Sequence, residues 1–358
     1  MRRAVLMLVI VWASVALGQQ ISVMVAPFDS AGAGDPEIGK KASIILNLQI
    51  WQTLRIPPAG EGRKSKGTVT WDVISKAPAS YAEAEELARA QTEDEPQIVL
   101  WGRAWRYGEG NVVEAFLSIR SDAKPAVFKS DLWKVSLPDG TAVGVGVPRR
   151  QVDFRPIVLR SDLLAELKDP SGLKLYASPS GDVILGTVGD YFRAIQQGPD
   201  SAQVILPDGT KGWVRLPNLS RERSEVVHFA GALVRVFRQD WSGAKELFIK
   251  VVNNPNAPAA VKIDSYLYLA VAEDKSGGDP DLWLRKAYEL NPYSKTIVKY
   301  MCVNHLVALT RMSEGDRRGG KGAQQRRLLD QILETTQPLF PRDDSWIRSV
   351  KMLLSKLS

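Results

Sequence analysis

The sequence predicts a multidomain α+β protein composed of a small α/β domain, a small β-barrel and a C-terminal array of α-helical hairpins. Its 358 residues exceed the roughly 250–300 residues at which a single hydrophobic core stops growing. Turn signals every few residues mark 161–220 as a set of short strands. Apolar residues at helical spacing begin near residue 221 and continue to the end of the chain. These observations divide the folded chain into three parts.

The composition limits the chemistry that the chain can perform. Hydrophobic residues make up 44% and charged residues 24%, which is typical of folded globular proteins and excludes a wholly disordered chain. The net charge of +7 is spread thinly along the chain, so no nucleic-acid-binding surface is predicted. One cysteine cannot form an internal disulfide, and with two histidines it leaves three scattered residues for a zinc site. We therefore predict no cofactor and no metal.

Residues 1–18 have the three parts of an export signal. Two arginines follow Met1, an uncharged apolar run extends to Leu17, and a small-x-small pattern ends at Gly18. We expect cleavage near Gly18-Gln19 and a periplasmic or secreted mature protein with no transmembrane segment. A retained anchor is the alternative, although a spanning helix needs about 20 apolar residues.

The elements of the first domain follow from local patterns. An apolar run at 21–28 predicts a buried strand, and Asp35-Pro36 supplies the N-cap and first residue of an amphipathic helix. A short strand is expected at 69–74 and a second helix at 81–91. Two strand-like runs, 97–107 and 111–119, flank Gly108-Glu109-Gly110 and predict an antiparallel hairpin.

These residues resemble the amino-terminal domain of TolB-type periplasmic proteins and related envelope lipoproteins. The resemblance rests on Pro27-Phe28-Asp29, on 81–88 and on Val99-Leu-Trp-Gly102 through Val112, and it covers about residues 20–136. It implies a domain at 19–138, followed by a linker or extra strands at 139–160. No β-propeller repeats follow, so the propeller's partner-binding role is not implied. A generic α+β sandwich with the same strand order is the alternative.

Residues 161–220 contain five short strand-like runs, which suggest a small barrel. They resemble a bacterial Src-homology-3 domain through Gly172-Leu-x-Leu-Tyr176 and the ending Leu206-Pro-Asp-Gly-Thr-Lys-Gly-Trp-Val-Arg-Leu216. The resemblance implies a ligand groove, for which Tyr176, Tyr191 and Trp213 are the candidate residues. Ala202 departs from the pattern, because the family often has tryptophan there.

Residues 221–358 resemble tetratricopeptide-like helical hairpins, with an unrelated helical bundle as the alternative. Small residues recur where paired helices approach closely, and Ala232 and Tyr268 occupy equivalent positions 36 residues apart, near the repeat length of about 34. The first helix of each hairpin would line a concave partner-binding surface. Arg235, Tyr268 and Lys299 are the candidate contacts on these helices.

The motifs predict no catalytic residue. Cys302 and His305 are three residues apart, but their apolar neighbours favour core packing, and Glu83, Glu85 and Glu86 are expected on the solvated side of a helix. The three modules together predict a non-enzymatic cell-envelope scaffold or adaptor that binds other envelope proteins. A peptidoglycan-binding protein acting through the barrel is the first alternative, and an enzyme of unrecognised type is the second.

Overall fold

A computed structural model describes residues 21, 23–54, 69–71, 77–91, 96–120, 122, 131–159, 167, 173–188, 192–198, 200–216, 225–341 and 344–357. The predicted export signal at 1–18 lies outside these residues, as does Tyr191. In the described part the chain forms three β-sheets and ten α-helices, and its C-terminal part is helical. This confirms the mixed α and β composition that the sequence predicts.

The largest sheet has seven strands, arranged around a long hairpin. The strands are β1 (Val23–Val25), β2 (Asp29–Gly32), β3 (Val69–Trp71), β4 (Ile98–Tyr107), β5 (Gly110–Ile119), β8 (Gln151–Asp153) and β9 (Ile157–Val158). The main order is β3-β1-β4-β5-β8, with β2 paired to β4 and β9 paired to β5. Strands β1 to β4 pair in parallel, whereas β5 runs antiparallel to β4, β8 and β9.

One helix covers each face of this sheet. Helix α1 (Pro36–Leu54) shares a core with Ile98 and Leu100 of β4, and α2 (Tyr81–Ala90) packs on Val99 and Trp101. Successive side chains of a strand point to opposite faces, so β4 contributes to both cores. The predicted N-cap is present, because Asp35 Oδ1 accepts the Glu37 backbone N–H at 3.0 Å.

A second, five-stranded sheet occupies the region predicted as a barrel. Its strands are β10 (Leu173–Tyr176), β11 (Ile184–Val188), β12 (Arg193–Gln197), β13 (Ser201–Ile205) and β14 (Lys211–Arg215). All pairings are antiparallel, in the order β11-β10-β14-β13-β12. Gln52 of α1 donates a hydrogen bond to the Gly198 carbonyl, which attaches this sheet to the first one.

The helical part begins at residue 225. It comprises α3 (Glu225–Phe237), α4 (Trp241–Asn253), α5 (Ala259–Lys275), α6 (Asp281–Leu290), α7 (Lys295–Arg311), α8 (Glu314–Arg318), α9 (Gly320–Thr336) and α10 (Ser345–Lys356). From α3 to α7 each helix packs on the next, and α9 packs on α7. No helix in the described ranges is long and apolar enough to cross a membrane.

The hairpin of β6 (Trp133–Ser136) and β7 (Ala142–Val145) joins the helices rather than the large sheet. Its inward residues Trp133, Val135, Val143 and Val145 share a core with α7 and α10. At the other end of the helical part, α1 packs against α3. The chain itself therefore covers α3 and α7, two of the three helices expected to line a concave surface.

Candidate functional site

The five-stranded sheet brings two of the predicted ligand-binding residues together. Tyr176 of β10 lies directly opposite Trp213 of β14. Tyr176 is half-buried, whereas Trp213 is buried with 9% of its surface exposed. The Trp213 ring is thus mainly a core element of the sheet, and Tyr176 is the aromatic residue that a ligand could reach.

Arg215 completes this aromatic pair, and sequence analysis missed it. Its guanidinium lies 4.1 Å from the centre of the Tyr176 ring. At this distance the positive charge above the ring face is attracted by the electrons of the ring. The same group donates to the Gly181 carbonyl at 2.7 Å and to Asp182 Oδ1 at 3.0 Å. Arg215 therefore fixes the start of β11 against β10 and keeps part of its own charge accessible to solvent.

An exposed apolar run lies beside this pair and consists of Val183 and the first two residues of β11. Val183, Ile184 and Leu185 are 66%, 52% and 48% exposed, and Ile184 lies opposite Tyr176. Strand β11 is an outer strand of the sheet, paired with β10 alone among the described residues. The register also shifts between Leu175 and Tyr176, which leaves Leu185 as the extra residue of β11. We call residues 183–185, together with Tyr176 and Arg215, the sheet-edge surface.

The run Val183-Ile184-Leu185 is itself the sequence signal for this surface. Three consecutive apolar residues in a strand cannot all face one core, because alternate side chains point to opposite faces. One of the two faces must then be exposed or covered by another element. The sequence could not show that the described part of the chain leaves it exposed.

The three predicted contacts on the helices are engaged within the chain. Arg235 donates to the Leu54 carbonyl at 3.2 Å and pairs with Asp240, so it connects α1 to the α3–α4 turn. Tyr268 is 1% exposed and stacks on Phe248 with ring centres 5.0 Å apart. The Tyr268 ring has no surface for a partner in this conformation.

Lys299, the third predicted helical contact, is partly buried and lies beside two aromatic rings. Its ammonium lies 5.0 Å from the ring centre of Trp346 and 6.0 Å from that of Phe340. These two rings stack on each other at 6.4 Å. Trp346 also donates its indole N–H to the Gly144 carbonyl of the β6–β7 hairpin at 2.9 Å. Lys299 thus belongs to the region where the hairpin meets α10.

A cleft of about 390 Å³ is lined by Phe28, by residues of β2, by Gly34 and Asp35 before α1, and by Ala77. Its polar side chains are occupied in local turns. Asp29 accepts the Ala31 N–H, Ser30 accepts the Gly39 N–H, and Asp35 caps α1. Their oxygen atoms are therefore engaged with the backbone rather than grouped around a common centre.

Cys302 and His305, which are close together in the sequence, are both buried. Cys302 is fully buried, and burial raises the pKa of its thiol to about 12, which suppresses the nucleophilic thiolate. His305 is 7% exposed and bonds through Nδ1 to Gln325 at 2.6 Å. Within the described ranges, no group of three His, Cys, Asp or Glu side chains could hold a metal ion.

Comparison with known proteins gives no relative. No family model, no curated protein and no solved structure matches the chain.

Proposed function

We propose that the protein is an exported, non-enzymatic scaffold of the cell envelope that binds a partner protein through the sheet-edge surface. The observation that carries this proposal is the exposed run Val183, Ile184 and Leu185 on an outer strand. Folded proteins usually protect such strands with charges, proline or a covering element, because an exposed apolar edge invites pairing with another chain. An edge strand that the described part of the chain leaves unpaired on one side fits a binding role.

The physical basis for binding is the addition of a strand. An extended segment of a partner can hydrogen-bond to the edge of β11 that no described strand pairs with, while its side chains cover the apolar run. Complete burial of one large aliphatic side chain contributes about 1.5–3 kcal/mol. Tyr176 and Arg215 extend the surface with an aromatic ring and a cation, residue types that often dominate the affinity of protein interfaces.

Three modular resemblances support the scaffold proposal. The order of strands, α1 and α2 agrees with a TolB-like amino-terminal domain at 19–138, and five antiparallel strands with a buried Trp213 agree with a Src-homology-3-like barrel at 161–220. In the helical part, Ala232 and Ala244 are fully buried where α3 meets α4, as tetratricopeptide-like hairpins would require. We propose these as the modules of an envelope protein whose export depends on 1–18.

Site-specific photo-crosslinking in intact cells tests the proposal. A photoreactive residue at position 184 should form an adduct with a protein, whereas one at the exposed Lys211 of β14 should not. Leu185→Asp should abolish the adduct at 184, because it places a charge in the apolar contact. Thr187→Asp on the same strand adds the same charge outside the apolar run and should preserve the adduct. If both positions crosslink equally, β11 is not the binding strand.

The alternative ligand is peptidoglycan, and the Tyr176–Arg215 pair is the observation that favours it. A partly accessible guanidinium on an aromatic ring suits the carboxylates of wall peptides. Sedimentation with purified peptidoglycan separates the two functions. A scaffold should remain in the supernatant, whereas co-sedimentation that is lost in Arg215→Met would identify a wall-binding protein.

A further inference from the structure

Helix α6 carries apolar side chains on its exposed surface. Leu282 and Leu290 are 50% and 46% exposed, and Tyr293, just beyond the end of the helix, is 79% exposed. Another side of α6 holds Leu284 and Ala287, which are buried against the neighbouring helices. A helix with apolar residues on two sides is generally covered on both. The described part of the chain covers only one of these sides.

Leu282, Lys286 and Leu290 form one ridge of the helix, which we call the α6 ridge. They are spaced four residues apart, so they lie one above another on the helix surface. The Lys286 ammonium lies 5.0 Å from the ring centre of Trp283 and 5.9 Å from that of Tyr266 on α5. These rings draw the charge to one side and leave the aliphatic stem of Lys286 between the two leucines. The α6 ridge is therefore largely apolar along its length.

A charged row flanks the α6 ridge on the side away from Trp283. Asp281, Arg285 and Glu289 each precede one member of the ridge by a single residue. Asp281 accepts a hydrogen bond from the Asn304 amide of α7, so it is engaged within the chain. Arg285 and Glu289 are both exposed. An arginine four residues before a glutamate is the less favourable order for an ion pair within one helix, so a second molecule can compete for both groups.

We propose that α6 packs antiparallel on α6 of a second copy of this chain and forms a two-fold symmetric dimer. A two-fold axis close to Lys286 places Leu282 of one copy against Leu290 of the other, because both lie four residues from Lys286. The two Lys286 ammonium groups lean away from this axis towards the Trp283 rings of their own chains. The leucines are thereby covered twice, once at each end of the contact.

The same axis brings together the charged rows of the two copies. Arg285 of one copy and Glu289 of the other then lie about 3 Å apart along the helix direction, so their side chains can form an ion pair. By symmetry this pair forms twice.

This self-complementarity favours a second copy over an unrelated partner. A symmetric contact requires that each group find its counterpart on the same surface. The two leucines supply this for the apolar ridge, and Arg285 and Glu289 supply it for the charged row. One helix of 10 residues from each copy makes a small contact. We therefore expect a reversible dimer with a Kd of about 10 μM.

Sedimentation velocity of the full chain over a range of concentrations tests the proposal. Leu290→Asp should raise the dimer Kd by about tenfold or more, because it places two charges in the apolar contact. Met352→Asp in α10 is the matched control, since Met352 is a 48% exposed apolar residue of another helix, and it should leave the Kd unchanged. A chain that is still monomeric at about 100 μM overturns the proposal, as does a Leu290→Asp variant that dimerises like the control.

Charge reversal tests the antiparallel pairing itself. Glu289→Arg should raise the Kd by about tenfold, because Arg285 then faces an arginine of the second copy. The double variant Arg285→Glu/Glu289→Arg restores opposite charges in exchanged positions, and its Kd should return to within about threefold of the unmutated value. A double variant that binds no more tightly than Glu289→Arg contradicts this packing.

The dimer does not depend on the sheet-edge surface, and one variant separates the two proposals. Leu185→Asp alters β11 and should leave the dimer Kd unchanged. If Leu185→Asp dissociates the dimer instead, the copies meet at β11, and the assignment of α6 as the dimer interface is wrong.

Discussion

At the scale of single residues, Gly212 shows how a missing side chain sets the spacing of two strands. A Cβ at this position of β14 would collide with the side chain of Leu175 on β10, which is fully buried. The glycine in the Gly212-Trp213 pair therefore permits close packing of neighbouring strands. The residue was found from the sequence, but its role depends on a neighbour distant in the chain.

We expect Gly212→Ala to destabilise the five-stranded sheet by about 1–3 kcal/mol, because the added methyl group overpacks a closed core. Gly186→Ala is the matched control. Gly186 lies opposite the same Leu175 on β11, but no atom lies within 4 Å of an added Cβ. Urea unfolding monitored by tryptophan fluorescence compares the two variants. Equal midpoints would show that the sheet accommodates the methyl group and that Gly212 is not required for packing.

At the scale of secondary-structure elements, the β6–β7 hairpin illustrates that a strand can be predicted from the sequence while its packing partner cannot. Its burial alternates strictly in β6, so local pattern suffices to predict a strand with one apolar face. The predicted domain border at residue 138 falls in the turn of this hairpin. A local sequence pattern does not indicate which hydrophobic core a strand joins, so it could not show that both strands pack on the helices. Strands β4 and β5, by contrast, were predicted as a hairpin because their pairing follows directly from the Gly108–Gly110 turn.

Because a local pattern does not reveal contacts between distant strands, the sequence predicted only part of the candidate site. Tyr176 and Trp213 stand out as aromatic residues in strand-like runs. Arg215 does not stand out, because its position over Tyr176 depends on the pairing of two strands about 40 residues apart. The helical contacts were chosen from a repeat pattern, which places residues on a face but does not show that α1 and the hairpin cover that face.

We expect the hairpin to stabilise the helices that it covers. Trp133 is 1% exposed and its ring contacts that of Tyr300 on α7, so Trp133→Ala should cost about 3–5 kcal/mol. The loss should appear as reduced hydrogen-exchange protection in α7 and α10. Trp105→Ala in β4 removes a tryptophan that is only half-buried and lies in the other sheet. Protection of α7 that falls equally in both variants would rule out a specific role for the hairpin.

At the scale of the whole molecule, the buried residues do not separate at the predicted borders. One apolar cluster runs from the large sheet through the five-stranded sheet to α3, α4 and α5. A second contains the β6–β7 hairpin and residues of α5, α6, α7, α9 and α10. Helix α5 contributes to both clusters. Resemblance to separate modules therefore does not require that the modules fold separately.

This continuity predicts that residues 221–358 fold poorly alone. Without α1, the buried faces of α3 lose a covering helix, and without the hairpin, Tyr300 and its neighbours on α7 become exposed. We expect the isolated segment to unfold at a lower temperature than the same helices in the full chain, and to bind a dye that recognises exposed apolar surface. Circular dichroism at 222 nm during heating measures the unfolding temperature, and dye fluorescence measures the exposed apolar surface.

A longer fragment, 131–358, identifies the source of the lost stability. It restores the hairpin while α1 remains absent, so protection against hydrogen exchange should return in α7 and α10 but not in α3. Recovery in α3 as well would mean that α1 is dispensable for the helical part. The prediction is wrong if the segment 221–358 melts at the same temperature as the full chain. Its helices would then form an independent domain, and the apolar contacts with α1 and with the β6–β7 hairpin would add nothing to its stability.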